Sequence, residues 1–344
     1  MTRATIATVS KQAGVSISTV SQVMRGSGRI SQQTRDKVLE AAKAVNYVRD
    51  KRAAAMRSGH FREVGLLIHH IANPFNAEVL AGVSDLLEQH DYLVYVLDAR
   101  DDAARQQRYL ETLIGGARGG LLWVPAQGTD QALVDLVLAQ KVPTVTFLRS
   151  LPGANFDHVG IENADGTRAV TEYLVSLGHR HIAYLGGACE IEPHMKRISG
   201  YLAVMEQEGL GLGAPVIWPC EDSKTGGAAA LPELLRQHPQ ITGLVCNGDM
   251  VAMGATLALA RMGKTAGKEI SVVGFDNTAE AALWTPPLTT LAVNPFGLGQ
   301  RLAQTLLERI EKPQSAVRNI QLPGKLEIRQ SSGPVSRSGI KEAT

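Results

Sequence analysis

Ile17, Ser18, Ser21, Gln22 and Arg25 fall on one side of a helical stretch inside TIATVSKQAGVSISTVSQVMRG, which begins at Thr5. Most are short or hydrogen-bonding side chains. That chemistry suits a helix laid in a DNA major groove with its N-terminal half against base edges. The opposite side carries Val20, Val23 and Met24 at i, i+3 and i+4, which should pack inward. A first helix has to hold this one in place. Thr5 can cap it, Ile6, Ala7, Val9 and Ala13 fall near one face, Gly14 permits a tight turn, and Ser16 is a natural cap for the second helix. Arg29, Ser31 and Thr34 lie near the start of a third helix, SQQTRDKVLEAAKAVNY, whose Val38, Leu39, Ala42 and Val45 should close a small core.

Charge supports a polyanion partner for this segment. Residues 1–62 hold 12 Lys/Arg against 3 acidic residues, a local charge of +9, while the whole chain carries only +2 and the remainder is therefore acidic by 7. A basic head on an acidic body is the pattern of a nucleic-acid-binding module joined to something else. The 344 residues suffice for two or three domains, and 44% hydrophobic residues predict a folded chain. No run of about 18 apolar residues occurs, which argues against a membrane span. MTRAT at the start lacks the apolar stretch of a secretory signal, so a cytoplasmic protein is expected. Cys189, Cys220 and Cys246 are widely spaced and odd in number, and fit reduced thiols.

Past Val64, short apolar runs alternate with amphipathic stretches. VGLLI (64–68), YLVYVL (92–97), GGLLWV (119–124), PTVTF (143–147), HIAYLGG (181–187), GLVCNG (243–248) and ISVVGF (270–275) read as strands, and FNAEVLAGVSDLLEQH and GTRAVTEYLVSLGH as helices. This βαβ alternation predicts parallel sheets with helices on both faces.

T-I-x-x-V-x-x-x-A-G-V-S-x-S-T-V-S from Thr5 to Ser21, RIS-x-x-TR-x-K-V-L-x-A from Arg29 to Ala41, and Asn46-Tyr47 resemble the lactose/galactose-repressor family of transcription regulators. The resemblance continues to about Gln330, and within the family GSGRIS and YVRDKRAAAMRSG look most like maltose-regulon repressors. It implies an N-terminal all-α helix-turn-helix domain (1–47), a hinge helix or linker (48–61), and a two-lobed α/β domain (62–330) like periplasmic sugar-binding proteins. Lobe one would comprise 62–161 and 292–322, lobe two 162–291 and 323–330, and a tail 331–344 would follow. Residues matching Ile17, Ser18 and position 22 read the operator in the family. The usual Arg at that last position is Gln22 here, which favours adenine over guanine. The implied DNA contacts are Thr5, Ser16, Ile17, Ser18, Thr19, Ser21, Gln22, Arg25, Arg29, Ser31, Thr34, Tyr47 and Met56. Met56 stands where the family usually has a leucine that wedges into the minor groove. The hinge, Arg49 to Gly59, is too short to be a stable helix alone in water and should order on DNA against its twin.

Ligands of such folds sit beyond the carboxyl ends of strands. By strand position and family match, the effector contacts are Asn73, Phe75 and Asn76 from the first lobe, and Arg197, Asn247, Asp276 and Trp284 from the outer one. Arg, Asn and Asp together can satisfy vicinal hydroxyls, and an aromatic can cover a sugar face, so a carbohydrate or its phosphate is expected. Asp276 could instead cap a helix, Trp284 could be core, and Arg149 could reach the cleft or lie on the surface. The implied partners are a roughly palindromic duplex operator and a second copy of the chain. The tail lacks leucine heptads, which favours a dimer over a coiled-coil tetramer. His69-His70 and His179-Arg180-His181 lack a third ligand by spacing, so no metal or other cofactor is expected. A transport receptor would need a signal peptide and no helix-turn-helix. An enzyme is disfavoured because GxGxxG, Walker and GxSxG motifs are all missing.

Overall fold

Residues 4–48, 61–116, 119–187, 190–210 and 215–335 are described by the computed structural model. They belong to two units divided between Phe61 and Arg62.

In the first unit each helix starts on a hydroxyl cap. Helix α1 (Ile6–Ala13) begins at Thr5, whose side chain accepts from the Thr8 N–H while Thr8 returns a bond to the Thr5 N–H. Gly14 ends it at φ 63°, a left-handed conformation that a Cβ would strain. Ser16 caps α2 (Ile17–Arg25) through the Thr19 N–H, and Ser31 caps α3 (Gln32–Ala44) through the Thr34 N–H. Val9, Ala13, Val20, Val23, Val38, Ala41 and Ala42 form the buried core, with Ile6, Met24, Val45 and Tyr47 packed against it. Two expected core residues fall outside it: Leu39 is 47% exposed and Ala7 is exposed. The inward stripe of α3 runs through Val38, Ala41, Ala42 and Val45, and a residue one step along a helix points about 100° away.

The second unit continues with β1 (Glu63–Ile68), α4 (Pro74–Gln89), β2 (Leu93–Asp98), α5 (Ala103–Gly115), β3 (Gly120–Trp123), α6 (Gln131–Ala139), β4 (Thr144–Phe147) and β5 (Asp157–Ile161). Next come α7 (Asn163–Ser176), β6 (Ile182–Leu185), α8 (Glu192–Gln207), β7 (Val216–Trp218), α9 (Lys224–Gln237), β8 (Gly243–Cys246), α10 (Asp249–Arg261), β9 (Ser271–Asp276), α11 (Ala279–Leu283) and β10 (Thr289–Ala292). Helix α12 (Pro295–Glu311), β11 (Asn319–Leu322) and β12 (Lys325–Glu327) complete it. The strands make two six-stranded sheets, ordered β11-β5-β4-β3-β1-β2 and β12-β10-β9-β8-β6-β7. Every pairing is parallel, as expected, except the edge pair of β10 with β12, which is antiparallel. The chain passes from the first sheet to the second after β5, returns after β10, and crosses again after β11.

Helices α4 and α12 cross backbone to backbone: a Cβ on Gly82 would stand 2.0 Å from the Phe296 carbonyl oxygen, and one on Gly299 2.1 Å from that of Val79. Asp157, fully buried at the head of β5, accepts from Arg309 at 2.8 and 3.0 Å and from the Arg318 N–H at 2.8 Å, tying three segments of the first lobe together.

His158 on β5 is buried, with Nδ1 3.0 Å from the Thr146 hydroxyl. Burial, with Lys196 adding and Glu192 opposing, lowers its pKa to about 4. The unfolded chain therefore binds this proton between about pH 6.5 and 4 while the native one does not. Acidification across that window should remove stability, by on the order of 3 kcal/mol at most. His158→Asn should unfold in denaturant with a visibly shallower acid dependence than the parent; equal slopes would contradict the assignment.

Candidate functional site

In the first unit, the second helix carries the expected reading face. Ser16, Ile17, Ser18 and Arg25 are exposed, and Ser21 and Gln22 are half-buried. Ile17 leaves an apolar side chain 51% exposed at the first position of α2, a placement that no packing inside the unit explains. Gln22 lies against the turn after α2, where Gly28 stands at φ 86° and a Cβ on it would be 2.6 Å from Gln22 Oε1, so a side chain there would displace the Gln22 amide. Several residues expected to touch DNA are also committed to caps. Thr5, Ser16 and Ser31 accept backbone bonds, while Thr19 and Thr34 bond the Ser16 and Ser31 hydroxyls at 2.8 and 2.9 Å. Tyr47 packs against the three-helix core, and Arg29 is exposed. Met56 and the hinge stretch Arg49 to Gly59 lie outside the described residues, as does Cys189.

In the second unit the carboxyl ends of both sheets face a cleft of about 530 Å³, counting its mouth open to solvent. Asn73, Phe75 and Asn76 line it from the start of α4, and Arg197 and Asp276 line it from the other lobe. Arg197 is buried on α8. Its Nε donates to Asn163 Oδ1 at 2.7 Å, one terminal nitrogen donates to the Asn247 carbonyl, and the guanidinium lies 3.7 Å from the Phe275 ring centre. The other terminal nitrogen is 3.8 Å from Asp276 Oδ1. Asp276 ends β9 at φ 122°, and Asn277 follows at φ 58°, so strained backbone is held at the cleft. Burial pushes the Asp276 carboxyl up and Arg197 pulls it down; its neighbour Asp249, buried under bonds from Thr278 and Thr290, is pushed up to about 7.

Asn247 sits one layer behind the lining. It donates to Asp222 Oδ1 at 3.1 Å and accepts from the Tyr184 hydroxyl at 2.8 Å, and so positions Arg197 and Asp222. Trp284 is not among the lining residues. Its indole packs on the core of the outer lobe, donates to Thr256 Oγ1 at 2.6 Å, and lies 5.3 Å from Lys224 Nζ. The aromatic cover expected of it is therefore absent from this cleft, and its role in the arrangement is packing.

Residue-level reading of the sequence missed His69 and Asp222 as lining groups, and left Arg149 open between cleft and surface. His69 follows β1, Arg149 follows β4, and Asp222 lies beyond β7; all three line the cleft. The signal was their place just past strand ends. Arg149 is buried and donates to Asp101 from both terminal nitrogens, at 3.0 Å for Nη2, and to the Pro125 carbonyl at 3.2 Å. Burial raises the Asp101 carboxyl, but the bonds from Arg149 and the Gln127 N–H win and lower it. His69 is lowered to about 4, first by burial and then by Arg149, so it stays neutral near pH 7. Outside the lining, Glu192 accepts from the Ser150 N–H at 2.7 Å, Glu190 accepts from Gln127 at 2.9 Å, and Glu78 accepts from the Ala279 N–H at 3.0 Å. These bonds join the two lobes.

His179 bonds Thr242 and Ser271 and contacts the Gly333 carbonyl, a structural role. Among the described residues no cluster of three His, Cys, Asp or Glu is placed to hold a metal, and no helix is long and apolar enough to cross a membrane.

Residues 5–50 match the bacterial regulatory proteins of the lacI family, and residues 171–332 match the periplasmic binding protein-like domain. The ribose operon repressor of Haemophilus influenzae is 30% identical over 328 residues, covering 95% of this chain and 98% of that one. This chain belongs to the lacI family. The maltose regulon regulatory protein MalI of Escherichia coli is 29% identical over 331 residues, covering 94% and 97% of the two chains. The lac repressor dimer bound to operator and the anti-inducer ONPF superposes with a TM-score of 0.85 at 26% identity, covering 96% of this chain and all of that one. A lacI-family chain of this architecture is a DNA-binding transcription regulator, with a helical reading unit followed by a two-lobed domain of predominantly parallel sheets.

Proposed function

We propose that this lacI-family protein is a homodimeric cytoplasmic repressor of carbohydrate-metabolism genes, released from or clamped to its operator by a sugar or sugar phosphate in the cleft. The observation that carries the reading is the pairing of two sites in one chain. One is an exposed polar face on a capped second helix. The other is a cleft at strand carboxyl ends that gathers Arg197 and Asp276 with Asn247 behind them. An exposed Ile17 and Ser18 suit contact with a thymine methyl and a base edge, and the basic residues of the head suit phosphates. Two copies would present two reading helices to a palindromic site. The interlobe bonds of Glu78, Glu190 and Glu192 are the contacts a ligand must strengthen or break to favour one lobe arrangement. No turnover of the effector is expected.

The test is selection of genomic fragments by the full-length protein at moderate salt, repeated with ribose, maltose and glucose 6-phosphate. Enrichment of one palindromic sequence whose retention changes with a sugar supports the reading. A flat enrichment profile under every condition contradicts it. In the same assay Gln22→Arg should move one position of each half-site from adenine toward guanine, a discrimination worth about 1–3 kcal/mol. An unchanged motif would remove Gln22 from the reading set.

A further inference from the structure

Two polar atoms lining the cleft are buried without a hydrogen-bond partner among the described residues: Asn76 Oδ1 and His69 Nδ1. Asn76 is only 1% exposed, and its amide nitrogen donates to the His70 carbonyl at 2.7 Å. That bond orients the amide, since a carboxamide oxygen turned toward the His70 carbonyl would repel it. An acceptor is thus left unpaired in the lining, and leaving such an atom unmet is costly unless something supplies a proton. A hydroxyl can donate to Asn76 and, being donor and acceptor at once, can meet either tautomer of the neutral His69.

A phosphate dianion only accepts, so wherever it takes the place of a hydroxyl beside Asn76 it leaves Oδ1 unpaired. It would also find the charge of both lining guanidiniums already faced by carboxylates, Asp101 beside Arg149 and Asp276 beside Arg197, although the Arg197 nitrogen turned toward Asp276 can still meet a neutral hydroxyl. Arg149 is held by Asp101 and the Pro125 carbonyl; Arg197 is held by Asn163, the Asn247 carbonyl and Asp276. Asp222 adds a further carboxylate to the lining. Repulsion of an anion and unmet acceptors point the same way.

We infer that the effector is an uncharged, unphosphorylated sugar whose hydroxyls donate to Asn76 and meet His69 on one lobe, and bridge to Asp222 and Arg197 on the other. This rests on the effector-cleft reading above and narrows it. Asn76, His69 and Asp222 become specificity residues.

The experiment is calorimetric titration of the full-length protein with ribose, glucose, maltose and trehalose, with ribose 5-phosphate and glucose 6-phosphate, and with hypoxanthine. The expected result is that one of the unphosphorylated sugars binds tightest of the panel, with both phosphate esters weaker by roughly a hundredfold or more. A phosphate ester or hypoxanthine binding as tightly as the best sugar overturns the inference while leaving ligand control intact. No binding by any compound contradicts the effector-cleft reading itself, and the inference falls with it. Asn76→Leu should weaken the best sugar by about tenfold. Should that variant fail to fold, Asp222→Asn keeps the question open to refutation. It should weaken the sugar by about tenfold and narrow the gap to its ester, and an unchanged gap overturns the role of Asp222.

Discussion

A chain beginning at Phe61 is expected to lose operator-specific binding by a factor of about 10³ or more, with ligand binding in the cleft retained. The expectation follows from the independence of the two units. The head has its own buried core of seven described residues, including Val9, Val20 and Val38, and the cores behind the cleft draw on residues from Val64 onward. Removing the head thus takes away the face suited to base edges and the basic segment of the chain, 11 of its 35 Lys/Arg against 3 acidic residues, and leaves both sheets whole. Binding to a selected operator and to random duplex should be compared by fluorescence anisotropy, alongside sugar titration. Operator preference surviving in the shortened chain would refute the assignment of the reading face to α2. Loss of sugar binding would refute the independence of the units.

The second large effect is expected at Arg197. Replacing it by Leu leaves Asn163 Oδ1 and the Asn247 carbonyl without their common donor, and Asp276 without its facing cation, inside a buried wall. Truncating one partner of a buried, hydrogen-bonded charge pair costs about 2–5 kcal/mol, or roughly 30-fold to several thousand-fold in affinity. Arg197→Leu should therefore abolish the response of operator binding to effector at concentrations that saturate the parent, while operator affinity without effector persists. Arg197→Lys should recover part of the effect at most, because a compact ammonium cannot reach both Asn163 and the Asn247 carbonyl while lying flat on the Phe275 ring as a planar fork does. Effector dose–response curves for operator release or retention, recorded with all three proteins, check this. A parental curve from Arg197→Leu would remove Arg197 from the effector site.

The head was legible in the sequence because its determinants are local. Thr5, Gly14, Ser16 and Ser31 act within a few residues of themselves, so caps and turn follow from order along the chain. The same locality explains the two slips. Ala7 and Leu39 are apolar and near the right stripe, but each lies a step round its helix, where packing in so small a core decides. The two-sheet fold was legible from runs such as VGLLI and ISVVGF, each of which spans a buried strand. Edge strands of three or four residues, such as KLE and NIQL, carry no apolar run and take their state from the neighbour they pair with.

The cleft was legible where a residue sat in a strand-end motif, as Asp276 does, or in a segment matched to the family, as Arg197 does on α8. Arg197 and Asp276 come together there, although 78 positions of sequence separate them. His69 and Arg149 were visible as residues but not as neighbours, since their closeness depends on the parallel order of β1, β3 and β4 in one sheet. Trp284 shows the converse. An aromatic near a strand end looks like a ligand cover, yet its indole N–H found Thr256 and its ring found the outer-lobe core.

One titration bears most directly on the central claim that α2 reads duplex DNA and the cleft sets how firmly. Full-length protein is titrated into its selected operator and into random duplex at about 0.15 M salt, each with and without the sugar that binds tightest in calorimetry. The expected result is a preference for the operator of about 10³ or more in one ligand state, and a change in operator affinity of about fivefold or more on adding the sugar. Equal affinity for operator and random duplex in both states would contradict it.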